Sequence, residues 1–222
     1  MRLPPILVTA FRDALTFWLP TACAGCDAPD VSLCTGCRRA LRPRPSRRTL
    51  GPGLVVTSAL VFDGVVARCV RALKEEGRTS LARDLAPALA AALAATVPPG
   101  ARVAVVPGTR AAFRRRGYRP VELLLRRAGH RPARLLRVVR APEDQRGLGR
   151  AARGENVGGA FAARAVAGGT VVVVDDVATT GATLREAARA LRAAGADEVV
   201  AVALAHTPRR SVSEEESEVI DT

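Results

Sequence analysis

The sequence predicts an α/β protein: a mostly parallel sheet flanked by helices, preceded by a small cysteine module. Three observations carry this. Short β-branched runs alternate with helical patterns from residue 55 to residue 204, the order that builds parallel sheets. One of those runs, Val171–Val174, is four consecutive valines, the mark of a strand buried on both faces. Ahead of the alternation, Cys23, Cys26, Cys34 and Cys37 form two Cys-x-x-Cys pairs. At 222 residues the chain is long enough for one core of about 150 residues and a small appended module.

The elements follow in order. Residues 1–20 read as an amphipathic helix: Leu3 to Pro20 is apolar, but Arg12 and Asp13 interrupt it, which argues against a secretory signal. A lipoprotein signal ending at Cys23 is disfavoured because Pro20 stands where an aliphatic residue is wanted. No run reaches the roughly 20 apolar residues of a membrane span, so the expectation is a cytoplasmic protein. Residues 21–50 hold the cysteine module and a basic linker, Arg38 to Arg48, broken by Pro43 and Pro45. Residues 51–209 form the α/β domain. Within it, strands are expected at Val55–Phe62, Val103–Val106, Arg134–Val139, Val171–Val174 and Glu198–Leu204. Helices are expected at Val65–Lys74, Leu81–Ala95, Phe113–Arg127 and Leu184–Ala194, and Pro98-Pro99-Gly100 ends the second of them. Arg140 to Gly159 is polar and without periodicity, and residues 210–222 read as an acidic disordered tail.

Four thiolates satisfy tetrahedral zinc at Zn–S distances of about 2.3 Å. The seven residues between the pairs reach roughly 20 Å when extended, so closure is easy. Disulfides are the rival reading and suit a cytosolic chain poorly. A closed site of four thiolates leaves no open position, which makes the metal structural. Gly25 and Gly36 precede the second cysteine of each pair, where a turn with positive φ is expected. Cys69 stands alone in a helical pattern and reads as core.

The net charge is +13 with a pI near 11.3, which points to polyanionic partners as much as to a solvated basic face. Nearly all of that charge is arginine, because Lys74 is the only lysine. No G-x-x-x-x-G-K-[ST] run occurs, so the chain is not itself a P-loop ATPase.

The most informative stretch is Val171 to Thr183. The valine strand ends in Asp175 and Asp176, a small turn follows (Ala178, Thr179, Thr180, Gly181), and Ala182 and Thr183 lead into a helix. A monophosphate wants converging backbone amides and hydroxyls. Gly181 admits a close backbone approach, Thr179, Thr180 and Thr183 add O–H groups, and the helix N-terminus adds positive potential. Carboxylates would repel the phosphate itself; they make sense on ribose hydroxyls or facing a divalent cation. The predicted ligand is a ribose 5-phosphate group with Mg²⁺, and the bland alternative is a buried strand that ends in two acids.

This stretch resembles the PRPP-binding motif of the type I phosphoribosyltransferases, PRPP being phosphoribosyl pyrophosphate. Further segments are similar to the ComF competence family: Val103 to Arg110 followed by Arg114-Arg-Arg-Gly-Tyr118; Gln145-x-x-Leu148; Arg153-x-x-Asn156; Ala160-Phe161; and the N-terminal cysteine pairs. The resemblance implies a type I phosphoribosyltransferase-like fold over roughly residues 18 to 207. It implies that Gly108, Thr109 and Arg110 take the pyrophosphate, that Asp175 and Asp176 take the ribose, and that the segment from Arg140 to Asn156 closes over PRPP. Asp175, Asp176 and Arg110 are the candidate catalytic residues. Thr179 stands where purine-salvage relatives carry an acid, and a threonine is no general base near neutral pH. His130 and His206 read as structural or exposed. Three functions stay open: Mg²⁺-dependent phosphoribosyl transfer to an unknown acceptor, a PRPP- or nucleotide-sensing module without turnover, and a competence factor that handles single-stranded DNA alongside recombination proteins.

Overall fold

Alternating burial on one strand explains the layering. In the computed structural model, which describes residues 22–140 and 158–208, Val172 and Val174 enter one apolar cluster while Val171 and Val173 enter another. Helices therefore cover both faces of the sheet. The N-terminal helix expected at 1–20, the acidic tail at 210–222 and nearly all of the polar segment 140–159 lie outside the described residues.

In chain order the elements are α1 (Thr35–Ala40), β1 (Ser46–Thr49), β2 (Val55–Val61), α2 (Gly64–Glu75), a 3₁₀ turn (Thr79–Leu81), α3 (Ala82–Ala94), β3 (Arg102–Val105), α4 (Arg110–Arg116), α5 (Pro120–Arg127), β4 (Leu136–Val138), β5 (Phe161–Ala163), β6 (Thr170–Ala178), α6 (Ala182–Ala193) and β7 (Glu198–His206). The five-stranded sheet runs β1-β2-β7-β6-β3, parallel except for β1 at one edge. The cluster holding Val172 and Val174 also contains Val70, Leu73, Leu85, Leu89, Leu124 and Leu125, from α2, α3 and α5. The opposite cluster contains Leu184, Ala187 and Leu191, from α6.

Four expectations are corrected. The helix expected over Phe113–Arg127 is two helices: Gly117 turns left-handed at φ 75°, its amide closes α4 on the Phe113 carbonyl at 2.8 Å, and Pro120 starts α5. The strand expected at Arg134–Val139 is only Leu136–Val138. It leaves the main sheet to pair antiparallel with β5, a three-residue strand too short to show periodicity. The basic linker is not all irregular: it contains β1, an edge strand in register with β2 from Ser46↔Ser58 to Thr49↔Val55 that stays largely exposed; arginines at an edge mask strand periodicity and guard the edge. The glycines of the cysteine pairs do not adopt positive φ, which falls on Asp27 and Asp30 instead.

Candidate functional site

The end of β6 outruns its neighbour. β3 pairs with β6 only as far as Val105↔Val174, and the Val106 amide still reaches the Val174 carbonyl at 3.0 Å. β6 continues against β7 as far as Ala178↔His206. Asp175, Asp176 and Val177 are thus paired on one side and open on the other, where the loop after β3 departs. This is the crevice at the carboxyl end of parallel strands in which open α/β sheets hold ligands.

The two acids differ. Asp176 shares strand parity with Val172 and Val174 and lies on the α2 side, where both its oxygens meet Lys74 Nζ, at 3.1 Å and 3.0 Å. Asp175 Oδ1 accepts the Asp176 amide at 2.8 Å. Burial, and next the Asp176 charge, push Asp175 up from 3.8 to about 7, against the opposing pull of that amide and of Lys74. One acid is paired with a cation, and its neighbour carries the strain of adjacent charge.

The turn after β6 is built from below. Gly181 has φ 77° and precedes α6. A Cβ there would sit 2.7 Å and 2.9 Å from the two methyls of Leu50. The space that a side chain at Gly181 would need is filled by Leu50, from the β1–β2 connection. Arg48 Nη2 donates to the Thr179 carbonyl at 3.2 Å, and Arg185 Nη1 donates to the Leu50 and Thr180 carbonyls at 3.1 Å and 2.9 Å. Thr180 Oγ1 accepts the Ala182 amide at 3.3 Å. His206 ends β7 beside this turn; burial, then the Arg48 charge, lower its pKa.

Facing the acids is the loop Pro107–Thr109. Thr109 caps α4, its Oγ1 accepting the Ala112 amide at 3.1 Å while its proton stays available to donate. Between these walls lies a cleft of about 940 Å³. Of the sequence-predicted residues it brings together Gly108, Thr109, Arg110, Asp175, Asp176 and Thr183. Ala178, Thr179, Thr180, Gly181 and Ala182 are not in its lining: Ala178 and Ala182 are buried, and Thr179 and Thr180 face solvent beyond the strand end.

The cleft also takes in residues that the sequence reading missed. Lys74, Arg116, Arg119, Arg134 and Arg137 line it with Glu122. Glu122 is buried and meets Arg119 at 3.4 Å, Arg126 at 3.4 Å and Arg134 at 3.1 Å, which fixes two of the cleft's arginines. The Arg119 guanidinium also lies 5.0 Å from the Phe113 ring centre. The one signal that could have found Lys74 was its uniqueness.

The four cysteines converge. Their Sγ atoms all lie within 4.8 Å of one another, a donor set that could bind a metal such as zinc. Cys23 Sγ accepts the Gly25 and Cys34 amides at 3.4 Å and 3.3 Å, and Cys34 Sγ accepts the Cys37 amide at 3.4 Å. Burial opposes ionising Cys23, yet these amides bring its thiol down to about 6, while burial and the neighbouring thiols push Cys37 up. Gly25 is required for space: a Cβ there would meet Cys37 Sγ at 2.5 Å and Val65 at 2.9 Å. The module is part of the main body. Cys23, Leu33, Cys37 and Leu41 share a core with Cys69, which is fully buried as expected, and with Leu73. Arg38 meets Asp84 at 2.8 Å, and Arg78 donates to the Ala22 and Ser32 carbonyls.

Residues 114–221 match the model of the phosphoribosyl transferase domain family. The match includes the twin acids and the Thr/Gly turn, and begins after the cysteine module, Lys74 and the Pro107–Arg110 loop. No curated protein matches the chain. No helix among the described residues is long and apolar enough to cross a membrane.

Proposed function

We propose that this cleft binds PRPP and transfers its phosphoribosyl group to an acceptor, releasing pyrophosphate. The observation that carries the reading is the overrun of β6: it opens paired carboxylates toward the Pro107–Thr109 loop and Arg110, in one cleft, and the carboxylates themselves lie within the span similar to a phosphoribosyl transferase domain. Asp175 and Asp176 accept hydrogen bonds from the ribose hydroxyls. The turn Ala178–Thr183 receives the 5′-phosphate through hydroxyls and the α6 N-terminus. The bond from the anomeric carbon to the pyrophosphate oxygen breaks, and its electron pair leaves with the pyrophosphate. Arg110 and the Gly108 and Thr109 amides meet that growing charge. Magnesium enters with the pyrophosphate as part of the substrate. The acceptor's lone pair then forms the new bond at the same carbon.

The order of segments supports a ComF-type assignment, and with it a link to DNA uptake. The four cysteines hold structural Zn²⁺ in this reading. Purified chain is expected to carry one zinc by elemental analysis, and Cys26→Ser to lose it. Chelation is expected to lower the melting temperature, because the module shares its core with α2.

Calorimetry with PRPP and Mg²⁺ beside ribose 5-phosphate tests the main proposal. Both are expected to bind, PRPP more tightly, and Asp175→Ala with Asp176→Ala to abolish pyrophosphate release. Binding without turnover over a broad acceptor screen favours the sensing module. Absence of heat with either compound overturns the reading.

A further inference from the structure

The chain has 34 basic residues and a single lysine among them, Lys74. Everywhere else a cation is wanted, the sequence uses arginine. Lys74 stands at the carboxyl end of α2, the favourable end of a helix for a cation. Its side chain is less than one-third exposed, and its Nζ reaches both oxygens of Asp176. It lines the same cleft as Gly108–Arg110. Its place is held through the backbone: the Tyr118 hydroxyl, itself in the cleft lining, donates to the carbonyl of Leu73, the residue before it. The Arg-Gly-Tyr segment after α4 thus ties the end of α2 to the cleft wall.

This geometry suits a lysine and not an arginine. A compact ammonium can sit between both oxygens of one carboxylate and keep a proton directed at a third group, whereas a planar guanidinium engages a carboxylate edge-on and fills the space beside it. Adjacent acids at a strand end repel one another, and Lys74 is the cation that pairs with Asp176.

We infer that Lys74 is a positioning residue for the sugar: it holds Asp176 in the orientation that accepts a ribose hydroxyl. The inference rests on the PRPP reading of the cleft. The isolated amine gives a direct probe. Reductive methylation with ¹³C-formaldehyde labels Lys74 and the chain's α-amine, and Lys74→Arg assigns the two signals. Titration of full-length protein with ribose 5-phosphate is expected to shift the Lys74 signal. By calorimetry, Lys74→Met is expected to weaken ribose 5-phosphate at least tenfold, and Lys74→Arg to recover only part of that loss. Because Lys74 acts through Asp176, Lys74→Met in an Asp176→Asn background is expected to weaken binding less than twofold further. An unmoved Lys74 signal under saturating ligand, Lys74→Met affinity equal to wild type, or fully additive losses would overturn the inference while the proposed function stands. A wild-type chain that binds neither compound removes both. Should Lys74→Met fail to fold, the methyl signal of the wild type decides alone.

Discussion

Gly181→Ala is expected to lower the stability of the protein by about 3 kcal/mol and to abolish sugar-phosphate binding. Two costs combine. A non-glycine residue at φ 77° costs about 1–2 kcal/mol, and forcing a methyl against a buried side chain costs about 1–3 kcal/mol. Here the methyl meets Leu50 at 2.7 Å, and Leu50 cannot swing away because it is buried in the cluster beneath α6. For a domain of this size the melting temperature falls by about 6–12 °C. The two costs separate in a second background. In Leu50→Ala the steric part is absent, so Gly181→Ala there is expected to cost only the backbone part, about 1–2 kcal/mol. Equal costs in both backgrounds, read from denaturant unfolding, would show that Leu50 does not support the turn.

Asp175→Asn is expected to stabilise the protein at pH 8 while weakening PRPP binding at least tenfold. In the folded chain Asp175 is raised from 3.8 to about 7, first by burial and then by Asp176. The folded state therefore holds this proton more tightly than the unfolded state does. Stability from this group is complete below about pH 4 and is lost progressively as the pH rises to about 7. Asparagine is neutral throughout and can still accept the Asp176 amide. The variant is expected to exceed wild type at pH 8 by up to about 4 kcal/mol, the full value of a rise from 3.8 to about 7, with the gap closing near pH 4. Thermal melts at the two pH values check it; a gap that persists at pH 4 assigns the gain to another cause. A stabilising change that removes binding marks a site whose geometry was kept at the expense of stability.

Much of this was legible in the chain. Val171–Val174 announced a buried strand, and strand–helix alternation announced a parallel sheet, because periodicity and β-branching act over a few residues. Asp175, Asp176 and Thr183, with Gly108–Arg110, were named from the sequence and meet at one cleft. Cys23, Cys26, Cys34 and Cys37 were named as a cluster, and their sulfurs converge. The breaks at Gly117 and Pro120 are also local signals, masked by the run of arginines between Arg114 and Arg119.

Other features had no local signature. Arg48 reaches Thr179 and Leu50 packs against Gly181 from about 130 positions away in the chain, and Lys74 meets Asp176 across 102 positions. Gly25 is small because Val65 and Cys37 crowd it, and Arg134, from beyond the end of α5, joins the N-cap Arg119 and the helix's own Arg126 on the buried Glu122. Such pairings follow from which strands become neighbours in the sheet. Strand order is decided by the packing of the whole chain, so only the folded protein shows which distant side chains complete the residues that the sequence marks out.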